Sequence, residues 1–449
     1  MRNKKNMARK KIGRYLIPII VMAVLAIIAG LLLSPSIRER LSYKIAVLRS
    51  DIFYYFNPPE DVIFNPTQQQ QMDEFVAATM TAMVTTITPT PSFTATIEPT
   101  QLITNTPTST PLPTPTPTPI PNKVNLTGIT LVGQDFNNCG PANLSMYLSY
   151  WGWEGDQTIT GGYLKPNQKD RNVMPYEMVD FVQSQTQYDV VLRYGGDLEM
   201  IKRFVAAGFP VLIERAIVVI DKGWMGHYGL VTGYDDTQEV VYIPDTYYGE
   251  AKPTVKYAEI NQLWPHFDNI YLVVYPPDRQ EEVMGILGDQ ADSVNNISYA
   301  LQLAIDRTLT TTGRDNFFAW YMKGNMLVQK NDYLGAAQAY DTAFLVYSEL
   351  TLGQRPWRTL WYQTGPYFAY YYTGRYYDLV NLATQTLKDQ TAFGFLYEPA
   401  IEETWIWRGR AKLMLGDTTG AIEDFREALK WHPDWWVAVQ ELQNLGVTP

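Results

Sequence analysis

The chain has 449 residues, enough for two or three domains, and its 46% hydrophobic and 13% aromatic content suits sizeable cores. Formal charge is −10, yet seven Lys and Arg and no acid fall in the first 14 residues, leaving −17 for the remainder and arguing against a nucleic-acid partner there. Cys139 is the only cysteine and the histidines are His227, His266 and His432, which excludes an internal disulfide and a zinc site of the usual Cys/His kind.

Residues 1–14 read as a basic cytoplasmic tail. Tyr15 to Leu33 is a 19-residue apolar run. At ~1.5 Å per residue it spans about 28 Å, close to a hydrocarbon core of about 30 Å. Ser34-Pro35-Ser36 and a charged stretch follow it, not a small-residue cleavage site, so an uncleaved single-pass anchor is expected. The basic flank keeps the N-terminus cytoplasmic and the bulk extracytoplasmic. Residues 34–87 read as a juxtamembrane stalk, with Ile37 to Phe56 amphipathic and helical. Residues 88–122 form a Thr/Pro-rich linker: Thr88 to Pro121 holds 12 Thr and 10 Pro in 34 residues, with Glu98 its single charge. Such a segment buries no core and acts as an extended polyproline spacer.

From residue 123 to 277 the composition predicts an α+β domain. Pro141 to Trp151, Pro175 to Gln185 and Asp197 to Ala207 read as helices. Pro210 to Ile220, Gly226 to Tyr234, Glu239 to Ile243 and Asn269 to Tyr275 read as strands, being short apolar and β-branched runs divided by Gly, Asp and Pro. The turn at Asp235-Asp236 predicts antiparallel pairing of the second and third runs. Lys165 to Val173 (KPNQKDRNV) reads as a solvated loop and Trp153 as core.

Residues 278–449 read as helical throughout. In Thr404 to Asp434, the small and large positions Trp405, Gly409, Gly416, Ala421, Phe425, Ala428 and Pro433 match a tetratricopeptide repeat. Trp320, Gly324, Ala336, Tyr340 and Ala343 repeat the pattern, and Trp361 to Leu387 is a Tyr-rich, weaker copy. The expected architecture is an α+β domain, then an all-α tetratricopeptide-like region offering a groove to a protein partner or substrate.

Chemistry concentrates on GQDFNNCGPANLSMYLSYWG, Gly133 to Gly152. A lone cysteine is commonly a small core residue. Cys139, however, sits where a loop meets a helix opened by Gly-Pro, and the N–H groups and dipole there favour a thiolate. His227, in WMGHYGLVTGYDD, can take the thiol proton and return it to a leaving amine. Its flanking glycines predict exposure, and Gly140 predicts close approach of a backbone or substrate. Asp245, in VVYIPDTYYG, can accept the imidazole N–H and fix its tautomer. Gln134 is the candidate oxyanion donor beside the Cys139 N–H, with Asp135 and Asn138 as alternatives. His266 (LWPHFDN) is the alternative base.

These motifs, in this order, resemble the papain-like cysteine peptidases of the bacteriocin-processing, double-glycine type over residues 133–277. The resemblance implies a papain-like fold, with Cys139 as nucleophile, His227 as base, Asp245 as orienting acid and Gln134 as oxyanion residue. It also implies a peptide or protein substrate, and no cofactor or metal. The chain carries no GxxxxGK[ST] phosphate-cradling loop, so the resemblance is to a free-standing member. The expected function is that of a membrane-anchored extracytoplasmic thiol peptidase. Two alternatives stay open on sequence: a non-catalytic peptide-binding adaptor, and a thiol-dependent acyl transferase or amidase.

Overall fold

The computed structural model describes residues 120–167, 170, 172–219, 223–247, 253–391 and 401–449, with Leu48, Phe64 and Pro66 besides. The basic tail, the apolar run 15–33, the amphipathic stretch 37–56 apart from Leu48, and the linker up to residue 119 lie outside the described residues. Among the described residues no helix is long and apolar enough to cross a membrane.

Two four-stranded antiparallel sheets organise the first half of the described chain. The strands are β1 (Lys123–Asn125), β2 (Asp189–Arg193), β3 (Val211–Val219), β4 (Gly223–Val231), β5 (Gly233–Asp235), β6 (Val240–Tyr242), β7 (Thr254–Lys256) and β8 (Tyr271–Tyr275). One sheet runs β1-β5-β6-β7 and the other β2-β8-β3-β4, so β4 is an edge strand. The expected pairing of the second and third runs holds only for β5 with β6. Before that, β4 pairs with β3 along nine residues, Val211↔Val231 to Val219↔Gly223. The chain changes sheets at Gly233, where an added Cβ would sit 2.5 Å from the Val124 carbonyl oxygen. Only glycine lets β1 come that close.

Side chains alternate across the second sheet. Leu212, Leu230, Leu272 and Val274 face α1 (Cys139–Tyr150) and α3 (Pro175–Gln185). Val211, Ile213, Val231 and Val273 share the opposite core with α4 (Leu198–Ala206) and the first sheet. Between α1 and α3 lies α2 (Gln157–Leu164), which the sequence does not announce. Its QTITGGYL is poor helix material. Asp156 caps it by accepting from the Thr158 and Ile159 N–H groups at 2.8 and 3.3 Å, and Thr160 Oγ1 ties it to the Pro141 carbonyl at 2.9 Å.

After α5 (Tyr257–Leu263) and β8 the chain is helical: α6 (Gln280–Leu287), α7 (Ser293–Thr310), α8 (Gly313–Gln329), α9 (Tyr333–Glu349), α10 (Gly365–Tyr372), α11 (Tyr376–Thr391), α12 (Glu402–Met414), α13 (Thr418–Trp431) and α14 (Trp436–Asn444). Three helix pairs, α8/α9, α10/α11 and α12/α13, share one turn. A left-handed residue follows the first helix by two positions: Asn331 at φ 59°, Gly374 at φ 75° and Gly416 at φ 85°. In the outer two pairs an Asp caps the second helix: Asp332 accepts from Gly335 N–H, and Asp417 from Gly420 N–H, both at 2.9 Å. A glycine also lies under an aromatic ring in each. An added Cβ would meet Tyr340 at 2.5 Å from Gly324, and Phe425 at 2.6 Å from Gly409.

The helical region is fused to the sheets. Trp224 of β4 stacks between Phe267 and Phe318, with centroids at 5.5 and 5.1 Å. Phe64, from the expected stalk, is buried in this same core, edge-on to Phe344 at 5.0 Å.

Candidate active site

Helix α1 opens at Cys139 itself, two residues before the expected Pro141. Its first backbone bond runs from Ala142 N–H to the Asn138 carbonyl at 3.0 Å, so the N–H groups of Cys139 and Gly140 have no acceptor within the helix. Pro141 has no N–H to lose there. Within the protein, the close approach expected at Gly140 is made by side chains and not by backbone. An added Cβ would meet Met178 at 2.8 Å and Val173 at 3.3 Å.

The loop before Cys139 is tied in place by α2. Gln157 Oε1 accepts from Asp135 N–H at 3.0 Å and from Asn138 Nδ2 at 2.9 Å, while its Nε2 donates to the Gly133 carbonyl at 2.8 Å. Asn137 is left-handed at φ 55°, and Lys165 Nζ donates to its carbonyl at 2.7 Å. Lys165 and Asp170 are buried, which corrects the expectation of a solvated loop at this end of the segment. Lys165 spends its charge on the loop that carries the cysteine. Trp153 is half-buried, edge-on to Phe181 at 6.1 Å.

One turn after Cys139, the fully buried Asn143 docks α1 on the free edge of β4. Its Nδ2 donates to the Tyr228 carbonyl at 3.0 Å and its Oδ1 accepts from Leu230 N–H at 3.1 Å. This is the pairing a neighbouring strand would make. It brings the sulfur beside residues 227 and 228.

His227 lies on β4 and is 2% exposed. This corrects the expectation that its glycines expose it: Gly226 lies under Phe267 and Tyr362, and Gly229 against Ile243. His227 Nε2 is 3.4 Å from Asp245 Oδ1. Asp245 Oδ1 also accepts from Tyr247 N–H at 2.8 Å. On the far side Arg215, fully buried and in register with His227 across the β3–β4 pair, places Nη2 3.9 Å from Asp245 Oδ2 and Nη1 3.5 Å from Glu259 Oε1. Arg215 thus brings a fixed positive charge to the buried carboxylate.

The electrostatics favour separated charge. Burial pushes the Cys139 thiol up, but the hydrogen bond and charge of His227, the Tyr228 N–H and the charge of Lys165 bring it below its ordinary 9.0. Burial pulls His227 down, but Asp245 and Cys139, by hydrogen bond and charge, raise it to about 9. Both shifts favour the thiolate–imidazolium form of the pair over the neutral one. Glu214, the residue before Arg215, is buried as well. Desolvation foremost, then the charge of Cys139, hold its carboxyl well above the carboxylate range. Tyr228 Oη gives its one proton to the Val173 carbonyl at 2.7 Å, so a protonated Glu214 is the donor that suits the Tyr228 oxygen opposite it.

Gln134 N–H donates to the Thr246 carbonyl at 3.0 Å, and Gln134 Oε1 accepts from Thr246 Oγ1 at 2.9 Å. Thr246 Oγ1 in turn accepts from Asn143 Nδ2 at 3.1 Å. With Oε1 committed, Nε2 is the donor end of that side chain. Asn138 gives its amide to Gln157, and Asp135 is a carboxylate with no proton to offer. His266 is occupied at both nitrogens: Trp224 Nε1 donates to Nδ1 at 3.1 Å, leaving Nε2 to donate to Asp315 at 2.9 Å. His432 pairs with Glu402 at 3.2 Å in the helical region.

The structure therefore brings Cys139, His227 and Asp245 together and sets Gln134 against the residue after Asp245. Asn143, Thr246, Arg215, Glu214 and Gln157 join them without having been singled out from the sequence. Asn143 was the most legible of these, as an amide within the apolar run of α1.

Among the solved structures similar to part of this chain are two peptidase-type proteins. One is a C39-like peptidase from Bacillus anthracis, at 19% identity over 34% of this chain and 97% of that one, with a TM-score of 0.29. The other is a double glycine motif protease from an AMS/PCAT transporter in complex with the leader peptide, at 16% identity over 33% of this chain and 91% of that one, with a TM-score of 0.25. No curated protein matches the chain. Residues 120–272, which hold Gln134, Cys139, His227 and Asp245, match the model of the Peptidase_C39 like family.

Proposed function

We propose that this chain is a cysteine peptidase acting on a peptide or protein substrate through Cys139, His227 and Asp245. The observation that carries the reading is the buried His227, 3.4 Å from Asp245, on the strand where Asn143 docks the helix that opens at Cys139. The Cys139 thiolate attacks the scissile carbonyl and forms a C–S bond. The oxyanion meets those first-turn N–H groups and Gln134 Nε2. His227 gives its proton to the departing amine, leaving an acyl-enzyme. Water, losing a proton to His227, then attacks the acyl carbon; the C–S bond breaks, the acid leaves and the thiolate–imidazolium pair is restored. Asp245 holds the imidazole throughout, and Arg215 holds Asp245.

In this proposal residues 15–33 anchor the chain, residues 88–122 hold the enzyme off the membrane on the extracytoplasmic side, and the helix pairs α8 to α13 are tetratricopeptide-like repeats that present protein or substrate. The test is incubation of the full chain, in detergent, with a proteome-derived peptide mixture, followed by mass spectrometry of new termini. Wild-type protein should generate new termini that Cys139→Ala does not. An equal set from both forms rules the reading out. Transfer of the acyl group to an added amine, without hydrolysis, would make the chain an acyl transferase instead.

A further inference from the structure

The free edge of β4 is sealed from two sides. On the Cys139 side, Asn143 closes it at Tyr228 and Leu230. On the other side the sealing groups come from the helical region, more than 130 residues later. Arg358 Nη1 donates to the Trp224 carbonyl at 3.0 Å. The Tyr362 ring lies over Gly226, where an added Cβ would be 3.0 Å from Cδ1 and Cε1. Tyr362 also meets Trp224 and Phe267 edge-on, with centroids at 5.9 and 5.7 Å. Residue 363 clamps the segment from behind. Its carbonyl accepts from Tyr321 Oη at 2.8 Å, and its Nε2 donates to the His266 carbonyl at 2.7 Å. Gly226 directly precedes His227, so whatever fixes Gly226 fixes the imidazole. Tyr362 also feels the charge of Cys139.

We propose that Tyr362 is a positioning residue of the active site: its ring, held by Arg358 and Gln363, pins β4 at Gly226 and thereby sets His227 against Cys139. The helical region is then a working part of the peptidase and not only a presenting arm. This rests on the reading of Cys139 and His227 as nucleophile and base.

The test is the alkylation rate of Cys139 by dilute iodoacetamide in the full chain, followed by mass spectrometry from pH 5 to 10. Wild type, Tyr362→Ala, Tyr362→Phe and, as a control on an exposed ring of the same region, Tyr377→Ala are compared, each with a thermal melt. Wild type and Tyr377→Ala should react with the same midpoint, below 9. Tyr362→Ala should move the midpoint up by about one pH unit, a roughly tenfold slower reaction near pH 6, because each unit changes the thiolate fraction tenfold. Tyr362→Phe, which keeps the ring, should restore the wild-type profile. If Tyr362→Ala does not melt cooperatively, Tyr362→Leu carries the same expectation. A Tyr362→Ala or Tyr362→Leu profile equal to wild type overturns the inference. An ordinary thiol profile in the wild type overturns the peptidase reading instead, so the two failures are distinct.

Discussion

Asn143 stands in for a strand beside Tyr228: one side-chain amide takes the Tyr228 carbonyl at 3.0 Å and the Leu230 N–H at 3.1 Å, four residues after the cysteine. The same amide reaches Thr246 at 3.1 Å. Truncation to alanine would leave two buried backbone groups of β4 unpaired. At about 1–3 kcal/mol for each unsatisfied group, Asn143→Ala should destabilise by about 2–6 kcal/mol, read by denaturant melts. Asn143→Asp keeps the acceptor but not the donor and should recover part of the loss. A loss under ~0.5 kcal/mol would mean that the edge is held by something else.

Arg215 is the charge behind Asp245. Its removal leaves the buried Asp245 without that cation, and losing one partner of a buried ion pair costs about 3–5 kcal/mol. Arg215→Met should therefore either melt far below wild type or, where folded, lose most of the Cys139 reactivity below pH 7. Wild-type stability together with wild-type reactivity would contradict the role given to it.

Glu214 makes a prediction of opposite sign. Its folded pKa lies above its ordinary 4.5, first because of burial. From pH 4.5 upward the unfolded chain sheds this proton and the folded chain keeps it, so its contribution falls as pH rises until the folded pKa is passed. Glu214→Gln copies the neutral acid and still offers Tyr228 a donor. Relative to wild type it should gain stability progressively above pH 4.5, by at most about 1.4 kcal/mol per pH unit. Parallel wild-type and variant curves from pH 4 to 8 would show that Glu214 is charged in the folded protein.

Gln134 bears on rate and not on folding. Loss of one oxyanion donor costs about 10²–10³ in kcat. Gln134→Ala should show that loss on any peptide cleaved by wild type, with KM little changed and with iodoacetamide reactivity intact, since alkylation forms no oxyanion. A fall in alkylation matching the fall in kcat would place Gln134 in the thiolate's support and not in the oxyanion site.

The residues that meet at the candidate site were legible because each sits in a local signature: Cys139 in Cys-Gly-Pro at a helix start, His227 and Asp245 near the ends of successive apolar runs. The helix Pro175–Gln185 and the runs that became β3, β6 and β8 were legible for the same local reason. What surrounds the site was not. Arg215 faces His227 only because β3 and β4 pair in one register, and Tyr362 meets Gly226 only through the packing of helices onto an edge strand. The glycines beside His227 read as openness, yet they are gaps filled by Phe267, Tyr362 and Ile243. The helix Gln157–Leu164 forms against its own propensity because Asp156 caps it and Thr160 ties it to α1. The strand Lys123–Asn125 (KVN) holds a single apolar residue between polar ones, and Asp189–Arg193 (DVVLR) follows the helix Pro175–Gln185 after three residues with no Gly or Pro to set it off.

The most direct test of the thiolate–imidazolium pair is the pH profile of Cys139 alkylation in wild type beside His227→Ala. In wild type the rate should rise through a midpoint below the ordinary 9.0, and peptide cleavage should fall away above about 9, where His227 loses its proton. In His227→Ala burial acts on the thiol without that counterweight, so the midpoint should move to 9 or above. Superimposable profiles for the two proteins, both rising only near pH 9, would mean that His227 does not act on Cys139, and the peptidase reading would fall with it.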